Sequence, residues 1–373
     1  MLCLSQDTET RFFMWVGKNK PKVAFIHGRP SGHPIHAAYA RALGADFFHE
    51  DRLLRWQDIK GASKIRRYLS WFLNALFFPE KYKYDAFFCE CMRVPQLIMK
   101  KLGLIKRNQK LIALMADESL YFLDKKQFPF LTRWLIKEFL NSCDAIICIG
   151  DLQYELALKY CNDENKIFKI YNGLDEKQIL VLNKVSPKLD IVYNLMVIGN
   201  MAAYWRAWYK GLDLAIDALV EINSPNLNLI IVGDIKDEVK NELLKGVPVK
   251  LTNQIKFTGN LNDITQILKD IQLCIHCSRG DAFPTSTLEC FVAGIPVIVS
   301  EDTGTKSFVS DVDKNLVCLP TVDSLTNAIQ YYLNSSALKR NEISSSLKKH
   351  PNIIESSKAI DYFVSVFNSI IFK

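Results

Sequence analysis

Residues 278–300 read SRGDAFPTSTLECFVAGIPVIVS, and the pattern of this segment indicates the fold class. The apolar run before it, residues 271–277, predicts a buried strand. Pro284 cannot continue a strand, and Thr285 or Ser286 can cap a helix that starts just after it. The stretch therefore predicts a strand, a loop and a helix, followed by a second strand, which is the repeating unit of an α/β fold.

The same stretch places two carboxylates eight positions apart. Asp281 lies in the loop that leaves the carboxyl end of the first strand, where ligands bind in open α/β sheets. Glu289 lies in the first turns of the helix, behind the hydroxyls and free amides of Thr285, Ser286 and Thr287. A helix start attracts a diphosphate, and a carboxylate can accept both hydroxyls of a ribose. This pattern predicts a nucleotide-sugar site; the alternative is an acidic loop before an ordinary helix.

The chain is long enough for two domains. Its 373 residues fit two units of about 150 to 190 residues. Strands and helices alternate in both halves, which predicts parallel sheets covered on both faces. Predicted strands lie at 22–27, 84–89, 110–115, 144–149 and 167–171 in the first half, and at 195–199, 227–232, 255–258 and 271–277 in the second. Residues 181–188 are interpreted as the connection between the domains.

The carboxyl-terminal half carries five motifs in a fixed order. They are the strand ending at Gly199, the pair Lys210-Gly211, the run from Ile230 to Asp234, the run from Phe257 to Gly259, and the block from Asp281 to Pro296. In this order they resemble the retaining GT-B glycosyltransferases of the family-four type, also described as glycosyl transferases group 1. That family has two glutamates separated by seven residues, and Asp281 replaces the first of them here.

This resemblance implies an α/β fold of two Rossmann-like, doubly wound domains that face a central cleft. It implies an acceptor domain at 1–185, a donor domain at 186–352, and a carboxyl-terminal helix at 353–373 that crosses back to the first domain. The donor would be a nucleoside-diphosphate sugar of the UDP or GDP type. No separate cofactor is implied.

The resemblance also implies roles for individual residues. Arg206 and Lys210 would bind the diphosphate, where fixed cations stabilise the charge of the leaving group. Asp281 would contact the donor sugar and Glu289 the ribose. The backbone of Phe283, Pro284 and Thr285 would line the sugar and phosphate, next to Ser286 and Thr287. Because two cations can replace a divalent ion, we expect no metal; Asp311-Val312-Asp313 is interpreted as a loop.

Candidates for the acceptor side lie in the first half of the chain. Glycines in the loop after the first predicted strand would let the backbone approach a phosphate or an acceptor closely, although a simple βα turn is the alternative. Two acids follow the strand at 110–115 and either bind the incoming hydroxyl or cap the helix at 120–123. These candidates are Gly28, Gly32, His33, Asp117 and Glu118.

Positive charge is concentrated in one segment. Between Arg52 and Arg107 there are thirteen Lys and Arg against four Asp and Glu, whereas the whole chain has a net charge of +7. The part from Lys64 to Lys83 combines basic and aromatic residues. It predicts either a helix lying in an anionic headgroup layer or a core helix with a solvated basic end. No nucleic-acid-binding motif accompanies the charge.

The remaining composition favours a cytoplasmic protein. The ten cysteines are scattered through apolar runs and follow no secretory signal, which favours reduced thiols. No apolar run reaches the 18 or more residues of a membrane span, so any membrane contact would be peripheral, on the inner face.

The sequence as a whole predicts a retaining, metal-independent glycosyltransferase that moves a hexosyl-type group to a glycan or lipid-linked acceptor, in cell-envelope polysaccharide or glycolipid synthesis. The alternatives are a GT-B nucleotide-sugar epimerase, a phosphorylase, and a non-catalytic carbohydrate-binding or scaffold protein on the same fold.

Overall fold

The computed structural model of the protein describes residues 20–28, 33–49, 64–261 and 263–373. Gly32, one of the predicted acceptor-side residues, lies outside the described residues. The described chain forms two parallel sheets of six strands each, covered by helices. The predicted α/β architecture is therefore confirmed.

The first sheet has the strand order β2-β1-β3-β4-β5-β6, and all its neighbouring strands pair in parallel. Its central strands are short apolar runs such as AIICI, in which every residue is buried, because helices cover both faces. The strands are β1 (Val23–His27), β2 (Asp46–His49), β3 (Ala86–Glu90), β4 (Lys110–Met115), β5 (Ala145–Ile149) and β6 (Ile167–Ile170).

The second sheet has the order β12-β11-β10-β7-β8-β9 and is also parallel. The order reverses beside β7, which lies between β10 and β8. Such a switch point opens a crevice at the carboxyl ends of the strands. The strands are β7 (Asn194–Ile198), β8 (Asn228–Val232), β9 (Ile255–Gly259), β10 (Leu273–His276), β11 (Val297–Ser300) and β12 (Val317–Cys318).

Helices connect the strands in both domains. Those of the first half are α1 (Pro34–Leu43), α2 (Lys64–Leu76), α3 (Val94–Lys101), α4 (Ser119–Asp124), α5 (Phe130–Ser142), α6 (Gly150–Tyr160) and α7 (Glu176–Leu182). Those of the second half are α8 (Tyr204–Tyr209), α9 (Leu212–Ile222), α10 (Asp237–Leu243), α11 (Val249–Thr252), α12 (Thr265–Leu268), α13 (Thr285–Ala293), α14 (Lys306–Ser310), α15 (Val322–Asn334), α16 (Ala337–Lys348) and α17 (Ser356–Ile371).

The last helix returns to the first domain, as predicted. The ring of Phe363 on α17 stacks on Tyr39 of α1 at a centroid distance of 4.4 Å and contacts Phe88 of β3 at 5.5 Å. Leu174 forms a parallel bridge with Glu355 just before α17. The carboxyl-terminal helix therefore packs on the first domain. The domain limits at 185 and 352 stay predictions.

Sequence reasoning missed the short or weakly patterned elements. The strand β2 has four residues, DFFH, two of them exposed, and therefore carries no clear alternation. Helix α16 reads ALKRNEISSSLK, with three buried residues, so its apolar stripe is thin. Its Arg340 is nevertheless buried and donates from Nε to the Leu189 carbonyl at 2.6 Å. Tertiary contacts hold these elements in place.

Candidate active site in the cleft between the sheets

A cavity of about 410 Å³ lies between the two domains. The carboxyl ends of strands from both sheets face this cavity, which is the expected place for a ligand in an open α/β fold. Of the predicted site residues it is lined by Gly28, His33, Asp117 and Glu118 from the first domain and by Asp281, Phe283 and Thr285 from the second. It is also lined by Ile35, His36, Glu90, Cys91, Arg93, Ala116, Ile149, Asn172 and Ala282.

The loop from β10 to α13 presses against the first domain. At Gly280, where φ is +102°, a Cβ atom would lie 2.4 Å from the ring of Tyr121 on α4. Only glycine fits there, because both the backbone conformation and the space exclude a side chain. The carboxylate of the next residue, Asp281, is thereby placed in the cleft.

The start of α13 differs from the predicted capping. The N-cap residue is Pro284, and no side chain caps the helix. The predicted cap Thr285 is the first helical residue and lines the cavity, and Ser286 follows it inside the helix. Thr287 is fully buried, and its hydroxyl donates to the Pro284 carbonyl at 2.8 Å. The capping prediction was wrong because proline can hold the extended N-cap conformation itself.

Asp281 is paired with two groups of its own domain. Its Oδ2 accepts from Lys210 Nζ and lies 2.9 Å from His276 Nε2. Burial opposes the ionisation of Asp281, but the charge of Lys210 and the hydrogen bond from His276 outweigh it and hold the pKa well below its usual range. Burial lowers the pKa of His276. Asp281 is therefore a fixed negative charge, and Lys210 is its counter-ion.

Arg279 fixes the segment that carries Lys210. Its guanidinium forms two hydrogen bonds with Asp213 of α9, at 2.9 and 2.8 Å, and stacks on Trp208 at 4.5 Å. Its backbone N–H donates to the Tyr209 carbonyl at 2.7 Å. Because this planar fork binds both α8 and α9, Lys210 between them has little freedom.

Arg206 and Lys210 lie one turn apart: Arg206 is on α8, the helix that follows β7, and Lys210 comes directly after that helix. Arg206 Nε donates to the Asn200 carbonyl at 3.3 Å, and the Lys210 stem runs about 3.8 Å from the position of a Cβ on Gly199. Both side chains thus follow the loop after β7, but neither is among the cavity-lining residues. Their binding to a diphosphate stays a prediction.

Glu289 lies one turn after Thr285 on the same face of α13. Its Oε1 accepts from Gln178 Nε2 at 2.7 Å, and Gln178 lies on α7. Burial raises the pKa of Glu289, partly offset by this hydrogen bond. The contact with α7 was missed, because no helix was predicted between the strand at 167–171 and the connection at 181–188.

The two acids of the first domain have different environments. Asp117 accepts from the backbone N–H and the hydroxyl of Ser119, at 3.1 and 2.5 Å, and so braces the start of α4. Asp117 thus holds the helix start from the position before the N-cap residue, Glu118. Glu118 makes no such cap. Burial raises the pKa of Glu118, the charges of Asp117 and Asp281 raise it further, and Lys210 lowers it. Glu118 therefore faces the Lys210–Asp281 pair across the cleft.

A buried carboxylate organises the first loop, and sequence reasoning missed it. Glu90, at the carboxyl end of β3, lies 2.7 Å from His36 Nδ1 and accepts from the backbone N–H groups of Gly28 and His33, each at 3.2 Å. These interactions outweigh burial and lower the pKa of Glu90 to about 2. A Cβ on Gly28 would lie 2.7 Å from the guanidinium of Arg93. Glu90 is the last residue of β3, and this position at a strand end was the signal that could have identified it.

Glu118 gives a pH-dependent prediction. Since its pKa is raised, the ionised carboxylate destabilises the fold at neutral and higher pH. We expect Glu118→Gln to increase the free energy of unfolding at pH 8, and the gain to vanish as the pH falls below about 4.3, the ordinary pKa of a glutamate. Urea unfolding at pH 8 and pH 4 measures it. The exposed Glu221→Gln is the control, and an equal gain at both pH values would contradict this account.

Cys277 and Asp313 make structural contacts. Cys277, beyond β10, lies 3.7 Å from the Cys318 sulfur, and Asp313 accepts from the backbone N–H of Asn315 at 3.1 Å. Over the described ranges, no group of three or more His, Cys, Asp or Glu is arranged to hold a metal ion. Over the same ranges, no helix has the length and apolarity needed to cross a bilayer.

Comparison with known sequences gives two matches. Residues 205–350 match the family described as "Glycosyl transferases group 1". An Escherichia coli protein, UDP-Gal:alpha-D-GlcNAc-diphosphoundecaprenol alpha-1,3-galactosyltransferase, is 29% identical over 219 residues, which are 55% of this chain and 55% of that protein. The match thus spans about half the length of this curated relative.

Solved structures match over nearly the whole chain. Anabaena HepE in complex with UDP and glucose has a TM-score of 0.68 at 16% identity, covering 94% of this chain and 100% of that one. Sucrose-phosphate synthase from Thermosynechococcus elongatus has a TM-score of 0.70 at 15% identity, covering 94% and 99%. WaaG, a glycosyltransferase involved in lipopolysaccharide biosynthesis, has a TM-score of 0.63 at 14% identity, covering 92% and 99%. At such identities these likenesses establish the shared fold, GT-B.

Proposed function

We propose that the chain is a member of the glycosyl transferases group 1 family, whose description its residues 205–350 match, and that it transfers a hexosyl group from a nucleoside-diphosphate sugar. The observation that carries this proposal is the Lys210–Asp281 pair, in which Asp281 lines the interdomain cleft near the start of α13 and Lys210 lies directly behind it. A fixed cation and a fixed anion at one point suit a reaction in which the leaving group becomes negative and the anomeric carbon becomes positive.

Each charge has a distinct task in this proposal. Lys210 has three N–H donors, and its bond to Asp281 leaves two for the diphosphate. Asp281, held ionised, contacts the sugar hydroxyls and stabilises positive charge at the ring. Arg206 supplies a second cation. Glu289 accepts hydrogen bonds from the ribose hydroxyls, and these replace its hydrogen bond from Gln178.

We infer retention of configuration through front-side displacement. The acceptor hydroxyl attacks the anomeric carbon on the face from which the diphosphate leaves, and the leaving phosphate oxygen takes the acceptor proton. No divalent ion is needed, since Lys210 and Arg206 offset the charge of the leaving group. This stereochemical assignment rests on the family resemblance, and proton NMR of the first product reads it directly.

The names of two relatives support a proposal for the donor and acceptor classes. The Escherichia coli relative is by its name a galactosyltransferase that uses UDP-Gal and a diphosphoundecaprenol-linked sugar, and HepE was solved with UDP. We therefore propose a UDP-sugar donor and a glycan or lipid-linked acceptor of the cell envelope, glycosylated at the cytosolic face of the membrane.

A panel of UDP- and GDP-sugars tests the function. Released nucleotide is measured with a lipid-linked or glycan acceptor, with and without EDTA. We expect release with a UDP-sugar that EDTA leaves unchanged. Release only after Mg²⁺ or Mn²⁺ is added would overturn the metal-free mechanism. Conversion of the sugar without release of nucleotide would favour an epimerase, and binding without turnover of any donor would favour a scaffold.

Helix α2 supports a peripheral membrane contact. Its Leu69 and Phe72 are exposed, as are Phe77 just after it and Tyr82 in the following turn. Exposed apolar side chains within the basic segment suit an anionic headgroup layer. We expect the protein to float with vesicles containing 30% phosphatidylglycerol but not with neutral vesicles, and Leu69→Glu/Phe72→Glu to abolish flotation. The exposed Leu338→Glu on α16 is the control; flotation that survives the double change would contradict the proposal.

A further inference from the structure

Glu90 and His36 form a buried pair on the first-domain wall of the cleft, and the mechanism proposed above does not use it. Glu90 Oε1 lies 2.7 Å from His36 Nδ1, and both side chains are less than one tenth exposed. Both residues line the cavity, as does Arg93, whose guanidinium lies 3.7 Å from the other carboxylate oxygen of Glu90. A histidine that a carboxylate orients inside a cleft is a candidate for contact with a ligand.

The hydrogen bond to Glu90 determines what His36 presents to the cavity. Because the pKa of Glu90 is lowered to about 2 in spite of burial, its carboxylate is ionised at neutral pH and only accepts. Nδ1 of His36 therefore carries the proton of this bond, and in the neutral ring Nε2 is left as an acceptor. Nε2 has no hydrogen-bond partner among the described residues, and the ring lines the cavity. A ligand in the cleft can therefore donate a hydrogen bond to this nitrogen.

The carboxylate of Glu90 also takes up backbone amides of the first loop. The N–H groups of Gly28 and His33 both donate to Glu90, each at 3.2 Å. These amides would bind a phosphate if the loop were an anion site, but the negative charge of Glu90 already occupies that place. Asp117 and Glu118 line the same wall. A second anion is therefore repelled here, whereas a neutral group is not.

A sugar ring is a neutral group that suits this wall. Its hydroxyls can donate to His36 Nε2 and to the carboxylate of Glu118, and they can accept from the guanidinium of Arg93. Cys91, which also lines the cavity, has a φ of +61°, and strained backbone of this kind is typical of functional sites. In the proposed reaction the second domain holds the donor, so the ring on this wall belongs to the acceptor.

We propose that His36 Nε2 accepts a hydrogen bond from a hydroxyl of the acceptor's terminal sugar, with Glu90 as the positioning residue, and that this wall selects a neutral sugar rather than a phosphate. The inference rests on the proposed function, because it assumes an acceptor in the cleft, and it names the part of the acceptor that the first domain binds. His36 takes up no proton, since the leaving phosphate receives the proton of the attacking hydroxyl. A diphosphate-linked lipid leaves its phosphates outside this wall.

Binding of neutral glycosides tests the chemical class of the ligand. Calorimetry with the UDP-loaded protein measures its affinity for the hexyl glycosides of glucose, galactose, mannose and N-acetylglucosamine, and needs no turnover. We expect at least one of these phosphate-free sugars to bind. Binding of none of them would overturn the neutral-sugar assignment, even in an enzyme that transfers sugar to a diphosphate-linked lipid.

Two variants of His36 separate its contact with the ligand from its contact with Glu90. In His36→Asn the amide can replace Nδ1 beside Glu90 but leaves nothing at the place of Nε2, whereas in His36→Gln the amide reaches that place. We expect His36→Asn to weaken binding of the hexyl glycoside about 10-fold and His36→Gln to weaken it less, with the affinity for UDP unchanged in both. Arg41→Gln, exposed on the same helix α1, is the control and should change neither affinity.

Folding and binding are measured separately in these variants. Unchanged affinity for UDP shows that a variant is folded, because the nucleotide is expected to bind in the second domain. Equal affinity of wild type and His36→Asn for the glycoside, or an equal loss in both variants, would overturn the contact at Nε2. In the working enzyme, His36→Asn should raise KM for the acceptor and leave KM for the donor unchanged, and equal increases in both would contradict the proposal.

A series of monodeoxy hexyl glycosides needs no variant. We expect wild type to bind at least one of them about 10-fold more weakly than the parent glycoside, because that analogue lacks the hydroxyl that donates to Nε2. Equal affinity across the series would overturn the proposal, whether or not the His36 variants fold.

Discussion

Replacing Lys210 by methionine is expected to lower kcat about 1,000-fold. A unit charge about 4 Å from the leaving phosphate, at an effective dielectric near 20, interacts with it by about 4 kcal/mol, and each 1.36 kcal/mol of barrier is a tenfold change in rate. The stem of methionine preserves the packing against Gly199 but removes the charge. Steady-state release of UDP from the preferred donor measures the loss.

The same change also leaves Asp281 buried without its counter-ion. Removing one partner of a buried pair costs about 3–5 kcal/mol of stability, and here both side chains are less than one fifth exposed. The double variant Lys210→Met/Asp281→Asn separates the two effects, because it removes both charges. We expect it to regain most of the stability and none of the activity. Recovery of activity together with stability would mean that neither the Lys210 charge nor the Asp281 charge takes part in the transfer.

Replacing Asp151 by alanine is expected to cost about 3–5 kcal/mol in the free energy of unfolding. Asp151 is 4% exposed at the start of α6 and accepts from Lys169 at 2.9 Å, from the Tyr171 hydroxyl at 2.7 Å and from the Ser307 N–H at 3.2 Å. These bonds outweigh burial and lower the pKa of Asp151. Since Ser307 belongs to the second domain, the variant also loosens the interface above the cleft.

Glu155 provides a matched control for this change. It lies one turn further along α6 and pairs with Lys306 of the second domain at 2.6 Å, but its side chain is 52% exposed. Exposed pairs contribute about 0–1 kcal/mol, so Glu155→Ala should change the urea midpoint little. Equal destabilisation by both variants would show that burial of Asp151 is not the cause.

Sequence reasoning predicted most of the regular elements of both sheets. Strand β4 (Lys110–Met115) has the predicted bounds, because it is a strongly patterned run. The start of α13 shows where local reasoning failed: threonine is a common cap, but Pro284 already fixed the backbone there. Strand β2 was missed for a different reason. Its four residues, two exposed and two half-buried, show no clear alternation of apolar and polar side chains.

The residues of the candidate site could be identified one by one, but their partners could not. Sequence identified Asp281, Lys210 and Glu118 separately, as acids and a cation near strand ends. Lys210 and Asp281 are 71 positions apart in the chain, and Glu118 lies in the other domain. The Lys210–Asp281 pair forms within the second domain, where the segments after β7 and β10 meet, and Glu118 shares a cavity with Asp281 because the two domains pack together.

The α/β class, the order of the elements and the chemical types available at the strand ends could thus be predicted from the amino-acid sequence, because periodicity and turn residues act over a few neighbouring positions. The tertiary structure alone decided which charges meet. Coulomb interaction and burial depend on distances in space, and the loop pressed against Tyr121 sets those distances at the cleft. That is why Asp281 stays ionised while Glu118, across from it, resists ionisation.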